Sequence, residues 1–113
     1  MHEMSLCESI LQILEAEAQK QSFSRVNLVR LEIGTLSHVE PEAMRFCFNA
    51  MTRGTLADQA SLEILEPPGE AWCMDCEKTV SIAKRYDPCP DCNGHKLTVT
   101  AGDEMKIKDL EVV

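Results

Sequence analysis

Four cysteines constrain this chain more than any other feature. Cys73 and Cys76 form one C-x2-C pair, Cys89 and Cys92 form another, and twelve residues separate the pairs. The stretch from Trp72 to Cys92 is long enough for a short hairpin but too short for a hydrophobic core of its own, so something must stand in for that core. Two residues between cysteines allow a tight turn that points both sulfurs inward, and the twelve-residue arm folds the second pair onto the first. The spacing therefore predicts a four-thiolate zinc ribbon. Zinc held by four thiolates has no open position for an activated water, so its role is structural rather than hydrolytic. The competing chemistries are two disulfides, redox dithiols and a rubredoxin-like iron site, since sulfur tetrahedra also accept iron. Cys89-Pro90-Asp91-Cys92 lacks the preceding strand and following helix of a thioredoxin-like motif.

Charge narrows the range of partners. The 113 residues carry 11 Lys and Arg against 19 Asp and Glu, a formal net charge of -8. Neither the part before Cys73 nor the part after Trp72 is basic, so the field repels phosphate backbones and anionic lipid surfaces. The opening MHEMSLCES lacks the basic and apolar regions of a secretory signal, and no apolar run approaches the roughly 20 residues that span a bilayer. The expectation is a cytoplasmic protein that engages neither nucleic acid nor membrane. The chain is too short for a large multidomain enzyme, and it has no phosphate-cradling Gly-rich Lys-Ser/Thr loop.

Hydrophobic periodicity supplies the elements. Ser5 and Glu8 have the spacing of a capping box, and Leu6, Ile10, Leu14 and Ala18, with Cys7 and Leu11, form a helical stripe that needs a sheet to cover it. Val26 to Ile33 alternates as a half-buried strand, with Val29, Leu31 and Ile33 on one face, and Gly34 ends it. Pro41 fits the first turn of a second helix with Met44, Cys47, Phe48 and Met51 inward and Gly54 as the stop. Ser61 to Glu66 reads as a strand closed by Pro67-Pro68-Gly69, a domain hinge. Leu97 to Ala101 and Met105 to Val112 read as further strands, the last with a slip in its alternation near Asp109. The predicted fold is α+β: a small mixed sheet with two helices, plus an inserted four-cysteine zinc-ribbon module. The expected domains are an α/β domain from residues 1–69 and 97–113, to which the terminal strand returns, and a zinc-binding module at 70–96.

The N-terminus offers a second metal site. The α-amine of Met1, the backbone amide of His2 and the His2 imidazole can close fused chelate rings around a small divalent ion, with a further donor from Glu3. Nitrogen donors in a plane suit Ni(II) or Cu(II), whereas four thiolates suit zinc, so geometry would separate two metals on one chain. Cys7 and Cys47 lie on apolar helix stripes and read as buried thiols, and His38 as a loop residue.

Over essentially its full length the chain resembles the HypA/HybF family of hydrogenase nickel-incorporation proteins. The resemblance runs from MHEMSLCESI through LEIG and the VEPEAMRFCF region to CMDC and CPDC, with Gly94 just after. It implies a cytoplasmic nickel metallochaperone, not an enzyme, with an N-terminal nickel domain and a zinc domain. It also implies a HypB-type GTPase as partner and the large subunit of [NiFe]-hydrogenase as recipient, and in some members urease maturation. Nickel binding carries over to Met1, His2 and Glu3, with His2 the essential side chain, and zinc binding to Cys73, Cys76, Cys89 and Cys92. Glu40 falls in the family's acidic loop and is not assigned as a ligand. Some members place histidines beside the zinc cysteines, whereas here His95 lies three positions after Cys92, which argues against ligand exchange at the zinc. From the cysteines alone, the alternative is a nonenzymatic zinc-ribbon adaptor for protein or nucleic acid, and the acidic charge disfavours the latter.

Overall fold

The structure is a computed structural model that describes residues 3–113. Two helices and six strands follow in the order α1 (Glu3–Gln21), β1 (Val26–Ile33), α2 (Pro41–Met51), β2 (Ser61–Leu65), β3 (Gly69–Cys73), β4 (Lys78–Ile82), β5 (Leu97–Ala101) and β6 (Met105–Val112). This is the expected α+β architecture. The strands form two three-stranded sheets, β2-β1-β6 and β4-β3-β5.

The chain packs as two compact units. The first comprises the described residues up to Leu31, together with Val39–Ile64 and Ile107–Val113. Cys7, Ile10, Leu11 and Leu14 of α1 are buried in it, as are Val26, Val29 and Leu31 of β1 and Met44, Cys47 and Phe48 of α2. The helical and alternating stripes of the sequence thus become one core. The capping box at Ser5 does not form, because α1 has already started at Glu3 and Ser5 lies inside its first turn; the Ser5 carbonyl instead accepts from the Ser9 hydroxyl at 3.1 Å. Glu40 caps α2, its side chain accepting from the Glu42 N–H at 3.3 Å, and Pro41 follows where a missing N–H costs nothing. Thr52 closes that helix with its N–H on the Phe48 carbonyl, and Gly54 takes a φ of 77° just beyond. On the outer face of the sheet, Arg30 of β1 reaches Glu63 of β2 at 3.5 Å and Asp109 and Glu111 of β6 at 2.8 and 3.2 Å. Lys108 and Asp109 are exposed in succession along β6, the slip that the sequence showed there.

The second unit comprises Glu32–His38 and Leu65–Lys106. It is larger than the expected 70–96 module. β5 is an edge strand on β3, so Leu97–Ala101 belongs to the cysteine-bearing sheet rather than to the N-terminal one. β3 pairs antiparallel with β4, from Gly69 opposite Ile82 to Cys73 opposite Lys78, and antiparallel with β5 through a register shift at Glu70/Ala71. One face of this sheet buries Ala71, Cys73, Val80 and Ile82, with Leu97 and Val99 half buried and Leu36 packed against them. The cysteine module's missing core is thus partly supplied by Leu36, a residue distant in sequence.

Leu36 reaches that position through close backbone contact. Its N–H donates to the Gly102 carbonyl at 2.7 Å, the Gly34 N–H to Glu104 O at 3.0 Å and the Thr35 N–H to Pro67 O at 3.1 Å. A Cβ at Gly34 would lie 2.1 Å from the Gly102 carbonyl oxygen, so only glycine lets the two backbones meet.

Candidate metal centre

The two C-x2-C segments fold into near-identical knuckles. In the first, the Glu77 N–H closes a turn onto the Cys73 carbonyl at 2.8 Å, with Glu77 at φ 54°; in the second, the Asn93 N–H closes onto Cys89 O at 2.8 Å, with Asn93 at φ 61°. Each left-handed residue follows its second cysteine and turns the chain away from the sulfurs. The Cys76 N–H also points at the Cys73 sulfur, 3.4 Å away, and the Cys89 N–H is held by Gly94 O at 2.8 Å. Gly94 sits where a Cβ would press within 3.4 Å of the Cys92 sulfur and 3.2 Å of Asp75, which explains the glycine after CPDC.

All four Sγ atoms lie within 4.8 Å of one another. Cys73 and Cys92 are 3.7 Å apart at sulfur, and Cys76 and Cys89 3.9 Å. A disulfide would need about 2.05 Å, so these are free thiols in mutual contact. A tetrahedron with zinc–sulfur bonds of about 2.3 Å has edges of about 3.8 Å. The donor set, its number and its spacing all fit one tetrahedral ion. Cys73 and Cys89 are buried, Cys76 is half buried and Cys92 exposed, so the centre lies at the edge of the unit's core.

Electrostatics favour ionisation at one corner. The Cys89 thiol is held down to about 7, first by the backbone N–H of Cys92 and also by that of Asp91, against the opposing effect of burial. Cys76 is pushed up to about 12, first by its hydrogen bond with Cys92 and then by burial. Around the knuckles, each aspartate pairs with the lysine that follows the opposite knuckle: Asp91 with Lys78, and Asp75 with Lys96 at 3.8 Å. These crossed pairs were legible only as a repeated Asp-Cys within CMDC and CPDC. Arg85 instead donates through Nε to Leu36 O at 3.1 Å, and the Lys84 backbone N–H to Asp87 at 3.0 Å. His38 and His95 are both exposed.

The family model described as hydrogenase/urease nickel incorporation, metallochaperone, hypA matches residues 1–112. The chain belongs to the HypA family. Hydrogenase maturation factor HypA of Rhodopseudomonas palustris (strain BisA53) is 62% identical over 112 residues, covering 99% of each chain. That of Azotobacter vinelandii is 55% identical over 112 residues with the same coverage. The solution structure of the Ni metallochaperone HypA from Helicobacter pylori superposes with a TM-score of 0.72 at 25% identity, covering 100% of this chain and 98% of that one. Another HypA solution structure gives a TM-score of 0.74 at 27% identity, covering 100% and 97%. As a HypA, the chain is a nickel metallochaperone of hydrogenase maturation and not an enzyme. Among the described residues no helix is long and apolar enough to cross a membrane.

Of the nickel residues expected for a HypA, Met1 and His2 lie outside the described residues. Glu3 opens α1, and its carboxylate accepts the Glu40 N–H at 3.2 Å. The structure therefore brings the acidic loop and the N-terminus of α1 together, a proximity that the sequence separation of 37 residues concealed.

Proposed function

We propose that the chain carries Ni(II) as cargo on Met1, His2 and Glu3, and holds Zn(II) permanently on Cys73, Cys76, Cys89 and Cys92. The four-sulfur geometry is the observation that carries the second half of this reading: a filled tetrahedron retains its ion, so the delivered ion must bind elsewhere. The N-terminal amine, the His2 amide and imidazole, and the Glu3 donor offer the other site. That donor set suits nickel, and a site at a chain terminus exchanges more readily than a closed thiolate cage. The first unit, with Glu3 at the head of α1, then serves as the nickel domain, and the second as the zinc domain that presents a surface to partners. The cytoplasm is the compartment, a HypB-type GTPase supplies nucleotide energy, and the [NiFe]-hydrogenase large subunit receives the ion; urease maturation is a further outlet.

Native mass spectrometry of tag-free protein, with and without His2→Ala, tests the division of metals. The variant is expected to keep one zinc and to lose stoichiometric nickel, and blocking the α-amine is expected to do the same. Unchanged nickel stoichiometry and affinity in His2→Ala would refute the terminal site.

A further inference from the structure

The second unit contains a groove of about 320 Å³ that takes no part in metal binding. Its floor is apolar, built from Ile82 of β4 and Leu97 and Val99 of β5. Arg85, Tyr86 and His95 stand on its rim. Each has hydrogen-bonding capacity that the fold does not use. Arg85 is one-third exposed; it spends Nε on Leu36 O, its Nη2 lies 3.8 Å from Asp103, beyond hydrogen-bonding reach, and its Nη1 has no partner among the described residues. The Tyr86 hydroxyl and the His95 ring likewise have no hydrogen-bond partner among the described residues. Tyr86 is 92% exposed and sits at φ 71°, a backbone conformation disfavoured for a bulky side chain. An aromatic ring held out into water by a strained backbone is a poor choice for folding alone, and such outliers gather where a ligand is gripped.

We propose that this groove docks a segment of a partner protein that presents an apolar side chain next to a carboxylate, the carboxylate lying on the Arg85 guanidinium. The proposal deepens the reading of the second unit as partner-facing and rests on it. Complementarity chooses the occupant. The floor accepts an apolar side chain, while the open Nη1 of the guanidinium donates to a carboxylate oxygen and Nη2, held only by a long contact to Asp103, can turn to the same group. Of the two acids nearby, Asp87 is part of the groove lining and accepts the Lys84 N–H at 3.0 Å, and Asp103 is the ion-pair partner of Arg85 at 3.8 Å, so an incoming carboxylate competes with Asp103 for Nη2. The Tyr86 ring covers the apolar side chain and the His95 ring offers a second donor to the carboxylate. The volume lies at the lower end for binding pockets and suits one or two residues of a peptide rather than a large cofactor.

The test uses the zinc-loaded full chain and two probes, the tripeptide Gly-Gly-Phe with a free carboxylate and the same peptide as its C-terminal amide, followed by amide chemical shifts. The carboxylate form is expected to shift Ile82, His95, Leu97 and Val99 saturably, and the amide to bind about tenfold more weakly. Arg85→Gln is expected to erase that difference, and Arg85→Lys to restore part of it. Since Arg85→Gln also gives up the bond to Leu36, Tyr86→Gly is the second variant: it relieves the left-handed backbone, so the fold is at least as stable while the carboxylate peptide binds several-fold more weakly. Equal binding of the two peptides overturns the proposal. So does an absence of saturable shifts up to about 10 mM, or wild-type binding by Tyr86→Gly. Nickel stoichiometry measured on the same variants is expected to be unchanged; its loss in His2→Ala with peptide binding intact separates the two sites.

Discussion

Replacing Gly34 with alanine is expected to loosen the second unit without touching a metal ligand. The added Cβ would stand 2.1 Å from the Gly102 carbonyl oxygen and 2.3 Å from its carbon, both backbone atoms that cannot swing aside. The two segments must separate by about 1.2–1.7 Å to restore ordinary contact, since non-bonded carbon atoms settle at about 3.5–4.0 Å. Three hydrogen bonds cross or flank that contact: Gly34 N–H to Glu104 O, Leu36 N–H to Gly102 O and Thr35 N–H to Pro67 O. At about 1 kcal/mol each they amount to about 3 kcal/mol. Withdrawing Leu36, only 3% exposed, from the sheet adds about 1 kcal/mol. The expected loss is therefore about 4 kcal/mol. Gly54→Ala is the control: nothing lies within 4 Å of its added Cβ, so only the φ of 77° is penalised, at about 1 kcal/mol. Urea unfolding of the zinc-loaded protein, with hydrogen exchange at the Leu36 amide, reads both quantities. If Gly34→Ala matches Gly54→Ala in midpoint and Leu36 keeps its protection, backbone contact at Gly34 does not hold the unit together.

Cys73→Ser is expected to lower zinc below one per chain and to strip exchange protection by about tenfold or more from the Glu77 and Asn93 amides, which close the two knuckles. Retained zinc with unchanged exchange would contradict the tetrahedral centre. Glu77→Gly relieves a left-handed φ of 54° and is expected to raise stability by up to about 1 kcal/mol, whereas Asn93→Gly, replacing a residue that tolerates this region, changes little. A lower unfolding midpoint for Glu77→Gly would show that its side chain matters more than its backbone. The Cys7 thiol is pushed up from 9.0 to about 11, first by burial and then by Cys47 and Glu3. A raised pKa stabilises the folded state fully below pH 9 and loses that contribution as pH rises from 9 toward 11, amounting to about 2–3 kcal/mol. Stability of Cys7→Ala is therefore expected to fall less steeply than wild type across that window, and parallel slopes would refute the assignment.

The sequence announced periodic and ligand-bearing elements but concealed the contacts that depend on small residues. β1 and the inward faces of α1 and α2 follow from alternation and helical spacing, because Val29, Leu31, Ile10, Leu14 and Phe48 have to leave water. The thiolate cluster follows from spacing alone. β3 did not, since the residues it buries are Gly69, Ala71 and Cys73, too small to mark a hydrophobic face. Leu97–Ala101 read as a strand, but no local signal said which sheet it would join. Leu36 follows a glycine in what looked like a plain loop, and its role in the second core depends on two backbones meeting at Gly34 and Gly102.

For the proposed terminal nickel site, the contact between Glu3 and Glu40 bears on how firmly an ion would be held. Glu3 begins α1 and Glu40 caps α2, so two helix starts converge on one carboxylate. Each helix start carries the equivalent of about half a positive charge, which disfavours a cation nearby. Glu3, Glu40 and the first-turn Glu42 counter that field. Three carboxylates outweigh two half charges, so an ion bound at the proposed terminal site would sit in a net negative field. Surrender of that ion to an enzyme would then depend on competing donors from the recipient rather than on repulsion from the helix ends.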